Sequence, residues 1–187
     1  MDCVKVLVAG RGSEDPLGTT GTVTLVQIDG LNVLVDAGDP WNDQEILTAL
    51  EKTSITCDDI SNVIITHGHL DHCANLPLFK NAQVLMDSDL GQKKNGIVEY
   101  SSVENWPYKL SEHIQIHKLS GHTHSDLLVE VTTSDAKTIM ICGDLVESQT
   151  SKGLEYAIDP VKLAEAQSFI YSRANFIVPG HGNFFSL

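Results

Sequence analysis

A chain of 187 residues is long enough to bury its own core as a single domain over 1–187 without disulfide staples. Its 25 acidic residues against 12 basic ones give a formal net charge of −13, which argues against broad binding to nucleic acid or to an anionic membrane surface. A local cationic metal site overrides that repulsion at short range. Cys3, Cys57, Cys73 and Cys142 are irregularly spaced with no C-x-x-C pair, and read as reduced thiols of a cytosolic or nuclear protein. The opening "MDCVKVLVAG" has no basic region followed by an apolar stretch, so it does not read as a signal peptide, and no apolar run is long enough to span a bilayer.

Short β-rich runs come first, at 4–9, 21–28 and 32–38, with Gly30 in "IDGLN" suited to a tight hairpin between the last two. "NDQEILTALEKT" then places Ile46, Leu47 and Leu50 at helical spacing behind an Asn or Asp cap. "NVIIT" (62–66) reads as a buried strand, followed by strands at 82–86, 113–119, 126–131 and 137–142. Between 87 and 112 the pattern assigns no element. The plainest helix is "DPVKLAEAQSFIYSRA" (159–174), with Asp159 as cap, Pro160 in the first turn and Leu163, Ala166, Ile170 and Ala174 as an apolar stripe. "NFIVPGHG" (175–182) closes the chain as a short strand. Mixed strands with a few interposed helices indicate an α/β or α+β layered domain.

Chemistry concentrates in "THGHLDHC" (66–73), which packs three histidines and an aspartate into six positions after a buried strand. Side chains two apart on extended backbone point the same way, so His67 and His69 can grip one ion together. Asp71 and His72 follow where the chain turns into a helix, point elsewhere, and can hold a second ion. Further ligands are then needed to complete each shell. His122 in "SGHTHSD", Asp144 in "CGDLV" and His181 in "VPGHG" each stand where a strand runs out into a loop. Asp144 has two carboxylate oxygens and can bridge two ions. His113 and His117 lie inside a strand-like run and read as structural, whereas His124 is open between the two roles.

In their order and spacing, "THGHLDH", "SGHTH", "CGDLV" and "VPGHG" resemble the metallo-β-lactamase superfamily, over nearly the whole chain. That resemblance implies an αββα sandwich with a dinuclear site at one edge. It assigns His67, His69 and His122 to one ion, Asp71, His72 and His181 to the other, and Asp144 as the bridge. Asp36 in "LVDAG" matches an acidic position close to that site, where a carboxylate can accept a hydrogen bond and fix a ligand's orientation. "GTVTLV", "LVDAGDPW" and "VPGHGNFF" also resemble one branch of the superfamily, which is described as cytosolic and nuclear, dimeric, and linked to endonucleolytic processing of histone pre-mRNA. The resemblance therefore implies a homodimer with an RNA substrate, which the scarcity of cationic side chains would leave weakly bound.

Two divalent cations, zinc by preference with iron or manganese as alternatives, would share a water and lower its pKa toward neutrality, giving a hydroxide nucleophile. Asp71 or Asp144 would then shuttle the proton. Three readings follow: a phosphodiesterase or endoribonuclease; a thioesterase like glyoxalase II; and a metal-binding regulatory domain without turnover. Diiron reductase chemistry is disfavoured because its carboxylate position is taken here by His69.

Overall fold

A computed structural model describes residues 3–187. The first half of the chain forms β1 (Val4–Val8), β2 (Val23–Ile28), β3 (Leu31–Val35), α1 (Asp43–Lys52), β4 (Asn62–Ile65), α2 (Leu70–Cys73), β5 (Gln83–Met86), β6 (Asp89–Lys94) and β7 (Ile97–Ser102). The second half forms β8 (Tyr108–Lys109), β9 (Ile114–Leu119), β10 (Asp126–Thr132), β11 (Thr138–Ile141), α3 (Pro160–Arg173), β12 (Phe176–Val178) and β13 (Phe185–Ser186). β1 to β7 make one sheet in sequence order, and β13-β12-β11-β10-β9-β8 make the other.

The two sheets stack because their strands alternate apolar residues on both faces. Val33, Val35, Ile64 and Leu85 meet Ile116, Leu127, Val129, Val131 and Ile141 in the space between them. The intervening residues point outward. Leu34, Val63 and Ile65 pack under Ile46 and Leu50 of α1, while Leu128, Met140 and Ile177 pack under Leu163 and Ile170 of α3. The central strands of each sheet are thus buried on both faces, which gives the four-layer α–β–β–α order.

Local chemistry sets the element ends as expected in most places. Asp29 (φ 55°) and Gly30 (φ 74°) make the β2–β3 turn, and Asp159 accepts a hydrogen bond from the Lys162 amide to cap α3. Ala174 packs partly buried at the end of the expected stripe, and Gln167 joins the buried face of α3, where its amide donates to the Leu145 and Lys152 carbonyls.

The stretch left unassigned in the sequence is a hairpin, β6–β7, turned at Asn95 (φ 53°) and Gly96 (φ 81°). Every residue of β7 is exposed, so the strand carries none of the apolar alternation by which strands are read; the "NG" turn pair is its only local mark. Among the described residues, no helix is long and apolar enough to cross a membrane.

Leu34 is fully buried between sheet and α1, so Leu34→Ala should cost about 2–5 kcal/mol in urea denaturation. Ile97→Ala on exposed β7 should stay within about 0.5 kcal/mol of the unaltered chain.

Candidate metal centre

One edge of the sandwich collects the ends of strands from both sheets. β3 runs into Asp36, β4 into Thr66 and His67, and the β9–β10 loop carries His122. β11 runs into a tight turn bearing Asp144, and β12 into the loop bearing His181. The two sheets are tied together here by the Leu127 amide, which donates to the Thr66 carbonyl at 2.7 Å. α2 begins immediately after His69, so the chain coils and sends Asp71 and His72 away from the direction of His67 and His69.

The side chains fall into two groups. His67 Nε2 lies 3.0 Å from His69 Nδ1, and His122 Nε2 lies at the same distance from that atom. Asp144 Oδ2 stands 3.6 Å from His67 Nε2 and 3.2 Å from His122 Nε2. On the other side, Asp144 Oδ1 is 3.2 Å from His72 Nε2 and 3.4 Å from His181 Nε2. Asp71 Oδ2 stands 3.8 Å from each of those two nitrogens. Tetrahedral donors about 2.0–2.1 Å from a zinc-sized ion are separated by about 3.3–3.4 Å, which the spacings in both groups bracket. The seven residues named from the sequence are therefore brought together, and Asp144 gives one oxygen to each group.

The far side of each ring shows what the near side offers. His72 Nδ1 contacts Asp36 Oδ2 at 2.7 Å, and His181 Nδ1 contacts the Arg11 and Thr20 carbonyls at 2.9 and 3.0 Å. Those oxygens are acceptors, so both Nδ1 atoms carry the proton. Thr66 Oγ1 donates to Asp36 at 2.8 Å and is left to accept from His67 Nδ1 at 3.1 Å. In the neutral rings, three Nε2 lone pairs thus point inward at a buried carboxylate. Among the described residues, His72 Nε2 and Asp144 Oδ1 are buried with no hydrogen-bond partner. Converging acceptors with no donor between them fit a cation.

Electrostatics among the protein's own groups follow the same layout. Burial works against charge on His72, yet Asp144 and Asp36 raise its pKa well above the ordinary imidazole value. Burial opposes ionisation of Asp144, but His72 and His181 hold it well below the usual carboxylate range. Burial and the charge on His72 press His67 well below its ordinary value.

Asp36 is fully enclosed and accepts from the Thr66 amide at 2.7 Å, from the Thr66 hydroxyl and from His72. It contacts two of the elements that carry the cluster without belonging to either donor group.

Close approach sets two glycines. A Cβ on Gly180 would fall 1.9 Å from Asp144 Oδ1, and one on Gly143, whose φ is +50°, would fall 2.4 Å from Thr66 Oγ1. The loop between β9 and β10 is folded by the Asp126 carboxylate, which takes the Thr123 amide and hydroxyl. That turn buries His122 in the cluster and leaves His124 exposed, lining a neighbouring groove. His113 pairs with Asp29 and His117 with Glu130, both outside the site.

A cavity of about 250 Å³ opens onto the cluster, lined among others by His69, Asp71, Asp144, Glu147, Tyr156 and His181. Thr66, Glu147 and Tyr156 were not singled out in the sequence. Thr66 opens the quoted motif "THGHLDH" and Glu147 directly follows "CGDLV", but nothing local says which way their side chains point.

Residues 17–85 match the family model described as the metallo-β-lactamase superfamily. Metallo-β-lactamase domain-containing protein 1 of Xenopus laevis is 34% identical to the chain, over 96% of it and 79% of the frog protein. The Homo sapiens protein of that name is 28% identical over 93% of the chain and 67% of its own length. The chain spans 59% of the Mus musculus protein, at 32% identity. Among solved structures, a metallo-β-lactamase-type protein of Thermotoga maritima superposes with a TM-score of 0.73 at 19% identity, covering 98% of both chains. An AiiA variant from B. thuringiensis with N-decanoyl-L-homoserine at its active site reaches 0.65 at 14% identity, over 96% of this chain and 92% of that one.

Truncating Asp36 to Ala would strand three buried donors at about 1–3 kcal/mol each. Thermal or urea unfolding of Asp36→Ala should therefore show a loss of about 3 kcal/mol or more, measured on metal-free protein.

Proposed function

Because the chain belongs to the metallo-β-lactamase superfamily, in company with the proteins called metallo-β-lactamase domain-containing protein 1, we propose that it is a metal-dependent hydrolase acting on phosphodiester bonds of single-stranded RNA. The observation that carries the hydrolase reading is the sharing of Asp144 between two donor groups. In this reading His67, His69 and His122 hold one divalent cation, Asp71, His72 and His181 hold a second, and Asp144 spans both. Bound cations, zinc foremost with iron or manganese as alternatives, would lower the pKa of a water and polarise the oxygen of the bond under attack.

The chain's own groups supply the rest. Both oxygens of Asp144 are committed to donor groups, whereas Asp71 uses one and lines the open cavity. Asp71 is thus the carboxylate best placed to take a proton and hand it on. Asp36 keeps the His72 ring turned, and through Thr66 keeps the His67 ring turned, so no reorganisation is needed when substrate enters.

RNA is favoured over other esters by the segment resemblance, and the site's cations would act within a Debye length of about 8–10 Å, where a distant acidic surface weighs least. With few cationic side chains available, binding should be weak and poorly discriminating between sequences. The net charge of −13 favours a second reading, a thioester hydrolase, since such a substrate brings no run of phosphates to that surface.

Metal analysis after reconstitution should give about two ions per chain, and about one in Asp71→Asn or His181→Ala. Asp144 and Asp36 raise the His72 pKa, and an ion at the second position would compete with that proton, so affinity should fall as pH is lowered. A chain that takes up no metal at any pH would remove the reading.

Cleavage of single-stranded RNA should require metal and vanish in Asp144→Ala. S-lactoylglutathione and a lactam belong in the same panel. Faster metal-dependent turnover of the thioester than of RNA would move the assignment to the second reading, and turnover of none would favour a regulatory or metal-handling role.

A further inference from the structure

Glu147 stands three residues beyond Asp144, and backbone pairing brings it to the cluster. The Val146 carbonyl accepts from the Gly180 amide at 3.0 Å, and the Glu147 carbonyl accepts from the His181 amide at 2.8 Å. Two loops are thereby clipped side by side, and the Glu147 side chain is delivered next to His181. One of its carboxylate oxygens lies within 4.8 Å of donor atoms of both Asp144 and His181. Gly153 leaves it room: with φ at +65°, a Cβ there would meet Glu147 Oε2 at 3.2 Å and Glu147 Cβ at 2.9 Å.

His181 and His72 attract this carboxylate, while burial and Asp144 work against its charge. It is half-buried, lines the cavity, and no side-chain hydrogen bond or ion pair among the described residues engages it. Its neighbour Asp144 carries the same charge, and the two repel. On the same side, His72 Nε2 and Asp144 Oδ1 lie 3.2 Å apart, buried and pointed into the cluster, and neither makes a geometrically good hydrogen bond. A cation bound between them would neutralise these like charges and satisfy the converging acceptors together.

We propose that Glu147 is an eighth donor, a carboxylate that completes the second cation position; this rests on the two-cation reading above. The two positions then differ in kind. The first offers three imidazoles and one shared carboxylate oxygen. The second offers two imidazoles with Asp71, Asp144 and Glu147. Carboxylate-rich sets suit harder ions, so the second position discriminates least against Mn²⁺, while the first keeps the stronger preference for Zn²⁺.

The 187-residue protein, stripped of metal, would be titrated with Zn²⁺ against a chromophoric chelator, and with Mn²⁺ followed by its electron paramagnetic resonance. Wild-type protein should take two ions, with Mn²⁺ entering one position more readily than the other. In Glu147→Gln the first Zn²⁺ should bind as before, while the second ion, and Mn²⁺ above all, should weaken by about tenfold or more. Glu147→Asp, which keeps the charge, should retain part of that affinity, and it serves as the comparison if Glu147→Gln unfolds. Circular dichroism of the metal-free variants monitors folding throughout. Two ions bound in Glu147→Gln with unchanged affinity would overturn the role of Glu147 and leave the two-cation reading intact. No metal uptake by wild-type protein would instead remove that reading and this inference together.

Discussion

Asp144 is a buried carboxylate surrounded by four imidazoles, with one oxygen facing His67 and His122 and the other facing His72 and His181. Most of the chain's unusual local features exist to permit that placement. The turn after β11 must bend sharply at Gly143, whose backbone takes a positive φ against Thr66. The loop after β12 must pass so close that only glycine fits at position 180. A larger residue at either place would displace the one atom pair that both donor groups share.

The sandwich supplies the rigidity that such a cluster requires. Five strands and loops from two different sheets end at the same edge, and each is anchored a few residues back in a core of fully buried aliphatic side chains. The converging donor atoms are then held by the packing of the sheets, together with the attraction between Asp144 and the His72 and His181 rings. A cation bound among them would couple metal binding to stability at this edge.

Asp36 extends the same logic one layer deeper. It begins where β3 ends, in a left-handed conformation that aspartate tolerates, and it gathers the amide and hydroxyl of Thr66 together with the His72 ring. A single carboxylate thus fixes one ring in each donor group, His72 directly and His67 through the Thr66 hydroxyl. The acidic surface sets the other boundary on function. Basic side chains that might grip a polyanion are few, and Arg11, Lys118 and Arg173 are already paired with Glu45, Asp87 and Glu130.

The layered fold and the seven cluster residues were legible in the chain alone because they rest on short-range rules. Alternation of apolar residues marked the buried strands, 3.6-residue spacing marked α3, and a histidine or aspartate following each buried strand marked its exit. What stayed hidden depends on neighbours distant in sequence. β7 is exposed on both faces and exists by pairing with β6, so it carries no pattern of its own. His122 and His124 are equivalent as letters, and only the Asp126 clip on Thr123 turns one inward and the other out. Glu147 reads as an ordinary surface acid until the 146–147 backbone is seen clipped to 180–181. Thr66 becomes a relay only when Asp36, 30 residues earlier, is folded against it. Local sequence determined which residues carry chemistry and on which elements they ride; the direction of each side chain, and hence the partner it meets, was decided by contacts that exist only once the two sheets have closed.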